Sequence, residues 1–330
     1  MRRVVLVTQK IDPDDAVLAA TVPMARALAA RVDELVVLCG TAVAGALPAN
    51  VRVRQFGAPT QLQRGLRFEA ALARELQPRP DAVVAHMVPL YAVLAAPLFR
   101  PLGIELVLWY THWKAHAVLR AAERLSTAVV SVDRSSFPLP SAKLRTIGHG
   151  IDLSEFPCAD GARPDGPLRA LVLGRYSPTK GLEEIVRGFR LALTRGIDAR
   201  LELRGPAGSG AQEDVKRRLA AAVDDDRIEI GGPVPRGVLP ALFARSDVLI
   251  NNHRSPDKVV YEAAASCLPV LASSDSFRGL LPPELRFYSA ESLADRLAAL
   301  DRRRRPELRE AVRRSHSVES WAEGILSATR

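Results

Sequence analysis

The chain has 330 residues, 48% hydrophobic and 25% charged, which is enough apolar material for two globular cores. The net charge of +9 is spread evenly, +4 over residues 1–166 and +5 over residues 167–330, so no basic block marks one half. Aromatics make up only 5% and no stacking motif is present, which excludes nucleic acid as the partner.

In chain order, Arg3–Thr8 reads as a buried parallel strand. An Asp- and Pro-rich loop (Asp12 to Asp15) follows, then an Ala-rich helix to about Ala30 and a strand at Leu35–Leu38. Further strands are expected at Val51–Phe56, Ala82–Ala85, Leu106–Tyr110, Ala128–Ser131 and Arg145–Ile147, with helical patterns between them. This is the alternation of an α/β domain with a Rossmann-like parallel sheet. Pro157–Pro167, with Gly161, Pro164 and Gly166, reads as a linker. The alternation then restarts. Leu168–Gly174, Ala199–Gly205, Arg227–Ile230, Val248–Asn251 and the stretch from Val270 read as strands. Helices are expected at Gly181–Arg195, Gln212–Val223 and Gly237–Ala244, and around Glu262. The basic tail, Arg302–Ala328, reads as helical.

No apolar run approaches the roughly 18 residues of a membrane span. Met1-Arg2-Arg3 leads into a strand and not into a signal peptide's apolar core. The three cysteines (Cys39, Cys158, Cys267) are far apart and odd in number, which predicts no disulfide framework and a reducing compartment. These readings place the chain in the cytoplasm, with its positive charge suited to peripheral contact with anionic lipid at the inner face of a membrane. His112 and His116 have zinc-helix spacing, but no Glu follows the first His and no third ligand is in view, so no metal site is expected.

Two stretches carry chemistry. No Gly-x-Gly-x-x-Gly follows the first strand, which counts against a dehydrogenase. Instead, Leu173-Gly174-Arg175-Tyr176-Ser177-Pro178-Thr179-Lys180-Gly181 joins a strand to a helix. Gly174 permits a tight turn, and Arg175 and Lys180 flank the helix start, where a diphosphate would sit. The second stretch is Asp257-Lys258-Val259-Val260-Tyr261-Glu262, followed by small residues and Leu268-Pro269-Val270. Glu262 reads as a carboxylate in the first turn of a helix at the carboxyl edge of the sheet, either a ligand-binding group or a helix cap. Amides around Asp257, Lys258 and Val259 can face an anion as a nest.

These stretches, with Lys180-Gly181, His149-Gly150-Ile151-Asp152 and the first strand–helix unit, resemble the retaining glycosyltransferases of family 4, also called glycosyl transferases group 1. The resemblance covers nearly the whole chain. It implies the GT-B fold: two Rossmann-like domains facing across a cleft, here residues 1–156 on the acceptor side and 157–310 on the donor side. A last helix, 311–330, then crosses back to the first domain, with Trp321 as anchor. The implied activity is transfer of a sugar from a nucleoside-diphosphate sugar to a hydroxyl of a glycan, a lipid-linked acceptor or a small molecule. It needs no metal and no bound cofactor, because Arg175 and Lys180 hold the leaving diphosphate. By the same match Glu262 binds the nucleotide ribose, and His112, at the tip of the strand Leu106–Trp113, contacts the donor sugar. The family's first signature Glu falls on Arg254, with Ser255-Pro256-Asp257 after it, so Asp257 is the nearest carboxylate that could replace it. A non-catalytic nucleotide-sugar-binding relative and a nucleotide-sugar epimerase are the competing readings. Sugar, base, acceptor and oligomeric state are not encoded in any motif here.

Overall fold

The computed structural model describes residues 2–15, 18–159 and 166–329. The chain forms two compact units, residues 1–152 with 315–330 and residues 153–314. Most of the expected linker, including Gly161 and Pro164, lies outside the described residues.

The first unit holds a seven-stranded sheet in the order β3-β2-β1-β4-β5-β6-β7. Its strands are β1 (Arg3–Ile11), β2 (Glu34–Ala42), β3 (Val51–Gln55), β4 (Ala82–His86), β5 (Glu105–Trp109), β6 (Ala128–Ser131) and β7 (Leu144–Thr146). All pairs are parallel. Both faces are covered, as a parallel sheet requires, and the two-residue period of β1 divides its side chains between two cores. Val4 and Leu6 join the core under α1 (Thr21–Ala29), whereas Val5 and Val7 join the core under α2 (Gln61–Arg74), α3 (Pro89–Phe99) and α4 (Ala117–Leu125).

The second unit holds five parallel strands in the order β10-β9-β8-β11-β12. These are β8 (Leu168–Leu173), β9 (Ala199–Arg204), β10 (Ile228–Ile230), β11 (Val248–Asn251) and β12 (Val270–Ala272). Its helices are α5 (Leu182–Thr194), α6 (Gly210–Ala222), α7 (Leu239–Arg245), α8 (Lys258–Ala265), α9 (Ala290–Ala298) and α10 (Pro306–Ser315). From β8 the chain first builds toward β10, then returns to place β11 on the other side of β8. That reversal opens a crevice at the carboxyl ends of β8 and β11, where α/β sheets bind ligands.

In its elements, boundaries and cysteines the structure differs from the sequence reading. The tail is two helices, α10 and α11 (Val318–Ser327), and not one. The break follows from Ser317, whose hydroxyl accepts from the Ser320 amide at 3.1 Å and caps α11, while its backbone bridges Ile151. Trp321 on α11 is fully buried in the first unit, edge-on to Trp109 with ring centres 6.0 Å apart. Gly150 leaves room for it: at φ +69°, a Cβ there would lie 3.3 Å from the indole.

The unit boundaries fall at 152/153 and 314/315, where the sequence placed them at 156/157 and 310/311. Residues 153–156 belong to the second unit because Arg309 on α10 donates to the carbonyls of Leu153 (3.1 Å) and Phe156.

The expectation of no disulfide is overturned. Cys158 and Cys267 are joined, Cα atoms 5.1 Å apart across 109 residues of sequence. Spacing along the chain carries no information about such a pair, because α8 returns Cys267 beside the start of the unit. Cys39 remains a free, buried thiol. Among the described residues, no helix is long and apolar enough to cross a membrane.

Candidate active site in the second unit

At the carboxyl end of β8 the chain turns at Gly174, whose φ of +140° favours glycine. The same residue makes room for Lys180, since a Cβ on Gly174 would lie 3.2 Å from Lys180 Cε and Nζ. Residues 178–180 form one 3-10 turn, held by the Lys180 amide donating to the Ser177 carbonyl at 3.0 Å, and α5 begins two residues later. Lys180 is thereby folded back over the end of its own strand.

Its Nζ forms an ion pair with Asp257, which also accepts from Asn251 Nδ2 at 2.8 Å. Lys180 follows β8, Asn251 ends β11 and Asp257 precedes α8, so the three side chains meet at the strand-order reversal. A narrow cleft there, with no room for a water molecule, is lined by Gly174, Arg175, Lys180, Asn251 and Asn252, among others. Arg175 is exposed and makes no ion pair among the described residues. Both cations reach His253: burial first, then Lys180 and to a lesser degree Arg175, lower its pKa, so its imidazole is neutral at pH 7.

Glu262 lies one turn deeper in α8 than the sequence reading placed it. It is the fifth residue of the helix, not part of the first turn, and is 5% exposed. A cap must reach the unpaired amides of the first turn, so capping does not explain Glu262. Asp257 occupies the N-cap position but makes no side-chain cap bond, because its carboxylate is turned to Lys180 and Asn251. Arg236 Nη1 donates to Glu262 Oε1 at 2.8 Å, while its Nε and Nη2 donate to Glu155 Oε2 at 3.0 and 2.6 Å. The guanidinium centre sits 5.4 Å from the centre of the Phe156 ring. Burial disfavours the charged Arg236, but the two carboxylates outweigh it and its pKa is raised. Lys258 opens α8 beside this cluster, and burial pushes its ammonium down to about 8 against the opposing pull of Glu262.

The second unit therefore brings Gly174 and Lys180 together at the end of β8, with Asp257 paired to Lys180. It groups Glu262 and Lys258 with Arg236 and Glu155, and Val259 follows Lys258 in the first turn of α8. Arg254 is exposed, and its carbonyl accepts from Ser274 Oγ at 2.7 Å. Arg236, Glu155, Asn251 and His253 were missed in the sequence, where each stands in a loop or strand end with no motif around it. His112 belongs to the first unit. Strand β5 stops at Trp109, so His112 is an exposed loop residue and not a strand tip. Its Nδ1 accepts from the Lys114 amide at 3.0 Å, and His116 Nδ1 accepts from the Leu119 amide at 3.2 Å as the cap of α4. Each Nδ1 of that pair is thus taken up by a backbone amide.

The profile of the family described as glycosyl transferases group 1 matches residues 167–300, the part of the chain that builds this site. That match lies within the second unit. The GDP-mannose:cellobiosyl-diphosphopolyprenol alpha-mannosyltransferase of Xanthomonas campestris is 24% identical over 210 residues, covering 63% of this chain and 53% of that protein. The chain spans about half the length of the curated relatives it matches, 53% and 54%. Among solved structures, a glycosyltransferase from Rickettsia africae superposes with a TM-score of 0.73 at 14% identity, covering 99% of this chain and 97% of that one. The UDP-GlcNAc 2-epimerase of Methanocaldococcus jannaschii superposes at 0.60 and 12% identity, covering 100% and 99%. These likenesses show the GT-B fold, and the fold by itself serves both transfer and epimerisation.

Proposed function

We propose that the chain is a retaining glycosyltransferase that moves a sugar from a nucleoside-diphosphate sugar to a hydroxyl acceptor without a metal. The observation that carries this reading is that Arg175 and Lys180 line the β8–β11 crevice while Lys180 pairs with Asp257 at the opening of α8. Negative charge builds on the diphosphate as the sugar leaves. Lys180, Arg175 and the first amides of a helix stabilise that charge. Asp257 is the counter-ion of Lys180 while no donor is bound, and an incoming diphosphate takes its place. Glu262 accepts from the vicinal ribose hydroxyls with Oε2, its Oε1 being held by Arg236.

The Xanthomonas relative's name specifies GDP-mannose and a polyprenyl diphosphate-linked glycan. GDP-mannose is therefore the first donor to test, and a lipid diphosphate-linked sugar the first acceptor. The experiment is a thermal-shift panel of GDP-, UDP- and ADP-sugars, in which a bound donor raises the unfolding temperature, followed by product analysis with and without acceptor. A transferred sugar with retained anomeric configuration supports the reading. An epimerised donor in the absence of acceptor would replace it with epimerisation, and binding without any turnover would replace it with a non-catalytic role.

A further inference from the structure

Three helices cover one face of the first unit's sheet, with α3 packed against both α2 and α4. The Phe68 ring of α2 meets Tyr91 of α3 at 5.1 Å. Each helix also turns apolar residues outward. On α2 the outward stripe is Leu62, Leu66, Ala70 and Ala73, all exposed, with Leu62 at 74% and Leu66 at 64%. The opposite side of the same helix, Phe68, Ala71 and Leu72, is buried and already accounts for its packing. Helix α3 has no charged residue, yet Leu90 and Pro97 are exposed. Helix α4 exposes Val118 and Leu125. In the loop before it, Trp113 is 58% exposed with Lys114 Nζ 5.3 Å from its ring centre.

The charges on this layer are one-sided. Between residues 57 and 127 every Arg and Lys is exposed, whereas Asp81 is the only exposed carboxylate. Apolar side chains on a soluble surface usually occur singly, and a concentration of them marks an interaction site. Here they stand among cations that outnumber the carboxylates at the surface, beside an exposed Trp–Lys pair. That combination suits the boundary between headgroups and acyl chains, where leucines enter the lipid, tryptophan sits at the interface and cations meet phosphates.

We propose that the α2–α3–α4 layer of the first unit docks on an anionic lipid bilayer. Its use, to reach a lipid-linked acceptor, rests on the functional reading above; the docking itself does not.

The test is sedimentation of the full chain with vesicles of phosphatidylcholine alone and of phosphatidylcholine mixed with phosphatidylglycerol, with tryptophan emission read in parallel. Binding to the mixed vesicles only, weakened by salt, is expected. Emission should shift to the blue, because Trp113 is exposed whereas Trp109 and Trp321 are 2% and 0% exposed. Replacing both Leu62→Ser and Leu66→Ser should weaken vesicle binding by about tenfold or more. These side chains are exposed, and an unchanged thermal midpoint confirms the fold. Trp113→Phe should abolish the emission shift. Absence of binding to anionic vesicles, or equal binding by the double variant, overturns the proposal. Self-association that the double variant abolishes, without lipid binding, also overturns it and makes a second copy the occupant. Vesicle binding with no sugar transfer would remove the functional reading and leave the docking surface standing.

Discussion

Arg236 holds Glu262 by one guanidinium nitrogen at 2.8 Å and turns the rest of its fork to Glu155. The Glu262 carboxylate is thus fixed at one oxygen, and the proposed ribose contact falls to the other. Glu262→Gln should lower affinity for free GDP or UDP by about tenfold, since a charge-assisted hydrogen bond carries about 1.5–3 kcal/mol. Arg236→Met should lower it as well and should also destabilise the unit, because it leaves a buried carboxylate without its partner. Calorimetry with the free nucleotide checks the first effect and thermal unfolding the second. Wild-type affinity in Glu262→Gln would remove the ribose role.

Lys180→Ala and Arg175→Ala should each reduce turnover far more than donor affinity, by about 2–4 kcal/mol of barrier. Unchanged kcat in both variants would reject the diphosphate site.

Asp257→Asn should show the opposite split. The ion pair with Lys180 is largely shielded from solvent, with 12% and 18% side-chain exposure, so its removal frees the ammonium for a ligand. Free GDP should bind more tightly while kcat falls, because Lys180 loses the group that orients it. Arg254→Ala, an exposed position, should change neither. Equal kcat and Kd in Asp257→Asn and the wild type would contradict this arrangement.

Lys258 should make stability depend on pH. Its pKa is about 8 in the folded chain against 10.5 for the ordinary side chain. Between those values the unfolded state binds more protons, so stability rises with pH across that window. The penalty of burying the ammonium is fully present below pH 8. Lys258→Met should therefore raise the thermal midpoint at pH 7, and the gain should shrink as pH approaches 10.5. Measuring both proteins across that range cancels the other titrating groups, and a constant difference would reject the assignment.

The Cys158–Cys267 bond predicts a thiol count. In denaturant without reductant, one thiol per chain, Cys39, should react, and three should react after reduction. Cys158→Ser should cost about 2–5 kcal/mol of unfolding free energy when compared with the oxidised protein. Three reactive thiols before reduction would show that the pair is not closed.

Much of the architecture was legible in the sequence because it is set by local periods. The alternation of Val4, Val5, Leu6 and Val7 between two cores and the restart at Leu168 follow from short-range patterning. The strand, glycine turn and helix start around Arg175 and Lys180 could be read too, since they are set by nine consecutive residues. The placement of Glu262 failed by one turn because helix starts depend on which residue before them leaves the helix. Only Asp257's turn toward Lys180 shows where α8 begins.

The sequence by itself determined two α/β units, their strands and the glycine turn that joins β8 to α5. The tertiary structure alone decided the partners: Lys180 with Asp257 across 77 residues, Arg236 with Glu262 across 26 and with Glu155 across 81, and Cys158 with Cys267 across 109. It also decided that the outward stripe of α2 is left uncovered, although its buried stripe has the same apolar character. The reason is physical. Periodicity records which side of an element is apolar, whereas contacts between distant elements depend on the order in which strands join the sheet, and strand order leaves no local trace.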